Sequence, residues 1–235
     1  MPSNTTSLDG NFVPEEPLHP QGAEFFEQVS EMLDGQPKDP AIVEAALIQW
    51  DGLLETIAAE LYRISSMLLG EGEQAIGLIE DVVANIDLHA CSSHSEARHQ
   101  SRLLLAADAI SVLRERDFAS KSSSLAAPAD DFGPASCIED DDLSAAGVTP
   151  DELEHMISGP DSHRLRDWLE GLPVSLRVIF VLRAVAGLSS GEVAALLAEH
   201  GGPVARNWTP DGVRSSFRQA LCSLASQLIH ATSTK

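Results

Sequence analysis

The sequence predicts an all-α protein of two small helical domains joined by an acidic flexible linker, the carboxyl-terminal domain being a helix-turn-helix. Three observations support this fold class. Apolar residues in the long segments recur every three or four positions, which is the period of one helix face. No segment shows the two-residue alternation or the hairpin turns of β-strands. Residues 120–142 are rich in Ser, Ala, Pro and Asp, and the linker predicted over 120–160 separates two apolar regions.

The amino-terminal extension, residues 1–39, is predicted to be acidic and disordered, with one short amphipathic helix. Several prolines stand among polar residues in 1–22, a composition that cannot build a core. Apolar residues between Phe25 and Leu33 then fall on one face of a three-turn helix. This helix either docks on its own protein or binds a partner, and the pattern leaves both open.

Residues 40–119 predict a helical domain. Its first helix begins at Asp39-Pro40, where a capping residue precedes a proline at the first helical position. Gly70 and Gly72 interrupt the apolar period, and a second helix follows. A third helix is predicted from about Glu96 to Arg116, and the linker 120–160 then ends the domain.

Residues 161–232 predict the second domain, in which each helix has a start signal. Pro173 opens a helix that Gly187 ends. The S-x-x-E spacing of Ser189 and Glu192 is that of a capping box, so a second helix follows at once. Thr209-Pro210 supplies a cap and a first-turn proline for the last helix.

The last helix carries the candidate DNA-binding residues. Its apolar residues form a stripe about 100° wide, and the polar residues of its amino-terminal half lie outside that stripe. Two helices joined by a Gly-containing turn match a helix-turn-helix whose second helix enters a major groove. Arg can donate twice to guanine and Gln twice to adenine, while Ser and the helix amino terminus can hold phosphate. The predicted contacts are Thr209, Arg214, Ser215, Arg218 and Gln219. A plain helical bundle with a solvated outer face is the alternative that periodicity leaves open.

The charge distribution agrees with this placement. The 235 residues carry a net charge of −21, with 36 acidic and 15 basic side chains. Residues 161–235 nevertheless hold eight Lys or Arg against six Asp or Glu. Because phosphate binding needs clustered basic side chains, any contact with DNA is predicted to come from this segment.

The residues of this segment resemble a known family. Together they are similar to the promoter-reading domain of bacterial sigma factors, especially the extracytoplasmic-function group. The matching positions include Leu172-Pro173, Arg177, Phe180, Leu182-Arg183, Gly187-Leu188-Ser189, Glu192-Val193-Ala194, Leu197, Val213-Arg214-Ser215 and Ala220. The resemblance implies a non-enzymatic transcription initiation factor whose partners are core RNA polymerase and promoter DNA, and it allows an anti-sigma factor as a third partner.

The earlier domain resembles the family's polymerase-binding domain through Leu61-Tyr62-Arg63-Ile64, Leu68-Leu69-Gly70, residues 78–83 and residues 110–116. The resemblance implies that one helix docks on the polymerase through Leu78, Glu80, Asp81 and Val82. No aromatic residue occurs between Tyr62 and Phe118, whereas the family traps flipped bases on aromatic rings. This difference and the acidic amino-terminal domain motivate a second hypothesis, a non-initiating sigma mimic that sequesters an anti-sigma factor or another regulator.

Composition also excludes other classes of protein. The most apolar stretch, 173–188, is interrupted by Arg177 and Arg183 and is shorter than the roughly 20 residues that span a bilayer, so no membrane contact is expected. The first residues lack the basic start and apolar core of a signal peptide, which favours a cytoplasmic protein. No nucleophile motif or phosphate loop is present, so neither catalysis nor a cofactor is predicted.

The cysteines are expected to be reduced. Cys91, Cys137 and Cys222 are odd in number and far apart in the chain, which favours free thiols over disulfides. One of them belongs to a polar cluster of His89, Cys91, His94 and His99. A zinc site would need these groups to converge tetrahedrally without a second pair of close ligands, so a polar surface is the preferred interpretation and no metal is predicted.

Overall fold

The computed structural model describes residues 40–86, 93–120, 123–127 and 137–233. All regular structure in these ranges is helical and no strand occurs in them, which confirms the all-α prediction. A π-helical turn, Val181–Val185, extends the sixth helix, and two short 3-10 turns span Leu143–Ala146 and Pro203–Ala205. The α-helices are α1 Pro40–Leu69, α2 Glu73–Asn85, α3 His94–Ser120, α4 Pro150–Ser158, α5 Ser162–Gly171, α6 Val174–Phe180, α7 Ser190–His200 and α8 Pro210–Ser233.

Most helix boundaries lie where local signals predict them. Helix α1 begins at Pro40, and α2 begins at Glu73, directly after the predicted glycine break. The backbone N–H of Leu188 donates to the carbonyl of Leu182 (2.9 Å), closing the end of α6 around Gly187, whose φ of +69° is left-handed. The helix therefore ends at a glycine, which adopts a left-handed backbone conformation without strain.

The second half of the predicted linker differs from the expectation. Helix α4 lies inside it and begins with a capping box in which Thr149 Oγ1 accepts from the Glu152 amide (3.2 Å). Apolar side chains from this part of the chain are buried. They are Ile138, Val148, Leu153 and Ile157. Residues 137–160 therefore pack as structured chain rather than forming the solvated linker that their acidic composition suggested.

The described residues from 51 onwards form one compact unit, and the start of α1, residues 40–50, belongs to a separate one. The core of the larger unit lies around α6 and the π-helical turn that extends it, where residues 178–182 are fully buried. Phe180 is at its centre, with its ring edge on Trp168 (centroids 4.9 Å apart) and a tilted contact to Phe217 (6.0 Å). Because helices from both predicted domains share this unit, the two-domain arrangement is not confirmed.

One prediction about the cysteines is wrong. Cys137 and Cys222 form a disulfide, with an S–S distance of 2.05 Å and Cα atoms 5.9 Å apart. The two residues are 85 positions apart in sequence. Separation along the chain says nothing about separation in space once residue 137 has packed onto α8. Cys91 and His89 lie outside the described residues, as do the amino-terminal extension and its amphipathic helix.

Among the described helices, none combines the length and the apolar character that a bilayer crossing requires. Within the same ranges, no three His, Cys, Asp or Glu side chains come together as metal ligands.

Candidate nucleic-acid interface

Helices α7 and α8 form the candidate interface. They pack against each other, and residues 201–209, which include the second 3-10 turn, connect them. The capping box predicted at the start of α7 is present: the Glu192 amide donates to Ser189 Oγ (3.2 Å), and the Ser189 amide donates to Glu192 Oε2 (2.7 Å). Thr209 caps α8 by accepting from the Gly212 amide (3.1 Å). Each helix therefore begins with a side-chain cap that satisfies one of its otherwise unpaired amides.

The connection between α7 and α8 is held in place by the segment that follows α3. Trp208 Nε1 donates to the Leu125 carbonyl (3.0 Å), and the Ala127 amide donates to the Val204 carbonyl (3.3 Å). Trp208 and Leu125 are both buried. These contacts fix the long turn between α7 and α8. The sequence of the turn alone does not predict the angle between the two helices.

The predicted DNA-binding residues lie on or beside the solvent side of α8. Thr209, Arg214 and Gln219 are exposed, whereas Ser215 and Arg218 are partly buried. The opposite side of the helix faces the core through Val213, Phe217, Ala220, Leu221 and Leu224. The predicted stripe and the predicted polar residues therefore lie on different sides of α8, as the periodicity required.

Arg214 forms an ion pair with Asp211, one turn earlier on the same helix. Both side chains are well exposed, at 44% and 87%, so the pair is weak and the guanidinium can exchange its carboxylate for another anion. Arg214 is thus held in a solvent-facing orientation by its own helix.

Arg218 has a different environment. Its Nη1 donates to the backbone carbonyl of Glu139 (3.0 Å), which belongs to the acidic segment before α4. Its Nε is buried and has no hydrogen-bond partner among the described residues. The two residues are 79 positions apart, and no local pattern in the sequence predicts that they meet.

Arg183 lies beside the candidate interface and was not among the predicted site residues. Its guanidinium lies over the Phe217 ring (5.2 Å to the centroid) and forms an ion pair with Asp141 (3.4 Å). Its Nη1 also donates to the Leu188 carbonyl (2.9 Å). Arg183 therefore links the end of α6, the core side of α8 and the acidic segment.

Helix α3 packs against α7 and contacts both of its ends. His99 Nε2 lies 2.8 Å from Glu192 at the start of α7. At the other end, Arg114 Nη1 donates to the His200 carbonyl (3.3 Å). Hydrogen bonds from the Ser189 hydroxyl and amide, with a smaller contribution from His99, lower the pKa of Glu192 below its usual 4.5 despite opposing desolvation.

Comparisons with protein-family models, with curated proteins and with solved structures find no match for this chain. The functional argument therefore depends on the residues and contacts of the chain itself.

The predicted polymerase-binding residues divide between core and surface. Leu78 and Val82 are buried in the contact between α2 and α3, so they support the helix from inside. Glu80 and Asp81 are exposed on the other side of α2. The structure thus keeps two acidic side chains available for a partner, and the assignment of all four residues stays a prediction.

Proposed function

We propose that this protein is a sigma-like transcription initiation factor, which binds core RNA polymerase and reads promoter DNA through α7 and α8 as a helix-turn-helix. The arrangement of α8 supports the proposal most directly. A buried apolar side fixes the helix, and the capped amino-terminal half presents Arg214 and Gln219 to solvent. These are side chains that recognise guanine and adenine in a major groove.

The contacts of the proposed interface have two roles: some position the helix on the DNA backbone, and others recognise base edges. The helix amino terminus at Thr209 and the Ser215 hydroxyl suit phosphate oxygens, because the positive end of the helix dipole and a hydroxyl donor attract them. Arg214 and Gln219 suit base edges. A chain with a net charge of −21 gains little from general attraction to DNA, so specific binding relies on these few contacts and on polymerase as a tether.

The proposed partner surface is the exposed acidic side of α2, with Glu80 and Asp81. In this proposal the chain works in the cytoplasm, catalyses no reaction and uses neither a cofactor nor a metal. Polymerase supplies the chemistry, and α8 supplies the choice of promoter.

Run-off transcription with core polymerase on genomic DNA fragments tests the proposal. The full chain is expected to produce specific starts, and Arg214→Ala together with Gln219→Ala is expected to abolish them. Arg164→Ala is the matched control, because Arg164 is also exposed and also pairs with an Asp three residues earlier, Asp161. Specific starts that survive the double substitution, or that Arg164→Ala removes equally, would contradict the assignment.

The second candidate function is a sigma mimic that binds an anti-sigma factor without initiating transcription. It is favoured by the contacts that cover parts of the helix pair: α3 on both ends of α7, and the Glu139 carbonyl on Arg218. Tight binding to an anti-sigma factor with no transcript on any fragment would support the mimic and exclude initiation.

A further inference from the structure

The disulfide lies on the same side of α8 as the proposed DNA contacts. At about 100° per residue, Arg214, Ser215, Arg218 and Cys222 fall within a sector of about 100° on the helix surface. Cys222 is one turn beyond Arg218 and is bonded to Cys137. The covalent link therefore attaches another part of the chain to the face that is proposed to meet DNA.

That part of the chain is an acidic strap, defined here as residues 137–146. It contains four consecutive acidic residues, 139–142, and ends in the first 3-10 turn, which packs against α8. The strap takes a hydrogen bond from Arg218 through the Glu139 carbonyl and pairs Asp141 with Arg183. It thus occupies the Arg218 guanidinium on this face and adds negative charge beside it, where a phosphate backbone would approach.

The ion pair between the strap and Arg183 is weak. The Arg183 to Asp141 distance is 3.4 Å, and the two side chains are partly exposed, at 20% and 37%. The Nε atoms of both Arg183 and Arg218 are buried without a partner in the described part of the chain, a cost that release to water would remove. Buried Ile138 and the packed 3-10 turn are the main apolar contacts.

We propose that the Cys137–Cys222 disulfide holds the acidic strap over the DNA-facing side of α8, and that its reduction releases the strap and opens this face to duplex DNA. The inference rests on the proposed function, because it assumes that α8 binds DNA. Disulfides of proteins in reducing compartments are commonly transient and regulatory, which fits a chain proposed to work in the cytoplasm.

The chemical step is thiol–disulfide exchange with a dithiol reductant. A reductant thiolate attacks one sulfur, the Cys137–Cys222 bond breaks, and the second reductant thiol resolves the mixed disulfide. Each cysteine sulfur gains one electron and one proton, and the reductant leaves as its own disulfide. Oxidation by a disulfide of the same class closes the strap again.

The test measures strap release and DNA binding separately on the full chain. Hydrogen exchange of peptides covering 137–149 is followed with and without dithiothreitol, and binding to a labelled 30-base-pair duplex is followed by anisotropy at several salt concentrations. Reduction is expected to speed exchange in the strap, to tighten binding about tenfold and to steepen the slope of log K against log salt by about one, as one added phosphate contact does.

Two variants and one control complete the design. Cys222→Ser and Cys137→Ser each prevent closure, so both are expected to bind DNA as the reduced chain does, with or without dithiothreitol. Cys91→Ser leaves the pair intact and is expected to keep the full response. Far-UV circular dichroism of each variant shows whether the helices are retained. Equal DNA affinities of the two Ser variants would show that release of the strap, and not local damage at one substituted position, causes the change.

The outcomes are distinguishable. Faster exchange with tighter binding supports the strap. Unchanged exchange on reduction overturns it, whatever the DNA result. If reduction speeds exchange but leaves the DNA affinity unchanged, and Arg214→Ala still weakens binding, the strap does not control access to α8. The proposed DNA binding then stands without it. No binding by any form, the open variants included, overturns the gate, whereas the proposed function is tested by run-off transcription, in which polymerase tethers the chain.

Discussion

The indole Nε1 of Trp208, at the end of the turn between α7 and α8, donates a 3.0 Å hydrogen bond to the backbone carbonyl of Leu125. Both residues are buried. The contact fixes the start of α8 to the chain that follows α3, so the angle between α7 and α8 depends on a part of the protein outside the helix pair.

Trp208→Phe is expected to lower the free energy of unfolding by about 1–3 kcal/mol, because a Phe ring cannot donate to the Leu125 carbonyl and leaves that acceptor buried. Urea unfolding followed by circular dichroism measures the change. Trp168→Phe is the matched control: Trp168 Nε1 donates to the Ser223 hydroxyl (3.1 Å), which is only partly buried and can turn to water. Equal losses in the two variants would show that ring volume, not the hydrogen bond, is responsible.

The end of α6 gives a second prediction. Gly187 has a φ of +69°, and a Cβ at this position would meet only Arg102 Nη1, at an ordinary 3.8 Å. Gly187→Ala is therefore expected to cost about 1 kcal/mol through backbone strain alone.

Gly77→Ala is the control for the same chemical change. Gly77 lies inside α2 without a left-handed φ, and nothing lies within 4 Å of its missing Cβ. Alanine favours helix more than glycine does, so this variant is expected to gain about 0.5–1 kcal/mol. Urea unfolding of both variants measures the two changes, and shifts of the same sign would contradict the account.

Local signals in the sequence predicted the features that one or two turns of chain determine. Ser189 and Glu192, Gly187 and Thr209-Pro210 each act through bonds to residues at most a few positions away. Thr149 and Glu152 carry the same capping-box spacing, and α4 was readable from them. The acidic composition around them favoured a linker instead.

The contacts that shape the candidate site could not be predicted in this way. Arg218 meets Glu139, and Cys222 meets Cys137, across 79 and 85 positions. Periodicity identifies which side of α8 is polar, but it does not say which other segment comes to lie on that side. Which segment lies there depends on the packing of α4 and the first 3-10 turn. Both were predicted to be solvated linker and not part of the core.

A third prediction concerns the carboxylate of Glu60 on α1, which accepts from Arg98 and from Arg102 (2.8 Å). The Glu60 side chain is 20% exposed. Glu60→Gln leaves two partly buried guanidinium groups without their countercharge, so the expected loss is about 1–2 kcal/mol of unfolding free energy.

Glu154→Gln tests whether burial is the cause. Glu154 Oε1 lies 2.7 Å from Arg63 Nη1, but the Glu154 side chain is 54% exposed and that of Arg63 41%. The expected loss is below about 0.5 kcal/mol. The two free energies of unfolding are compared at pH 7 and at raised salt, and a loss for Glu154→Gln as large as that for Glu60→Gln would contradict the argument.

The last prediction uses the pH dependence of the capping box. Hydrogen bonds from the Ser189 hydroxyl and amide lower the pKa of Glu192 in the folded chain below 4.5, so its carboxylate stabilises the folded state. This contribution is complete above about pH 4.5, and it disappears as the pH falls through the lowered value, where both states bind the proton. Glu192→Gln should therefore cost most at neutral pH, and its cost should shrink as the pH falls below 4.5. Glu199→Gln removes the same charge from a mostly exposed position on α7 and is expected to change stability by less than about 0.5 kcal/mol. Unfolding free energies of the three proteins between pH 3 and 7 decide the matter: a cost for Glu192→Gln that is constant with pH would mean that the anchored charge is not what stabilises the start of α7.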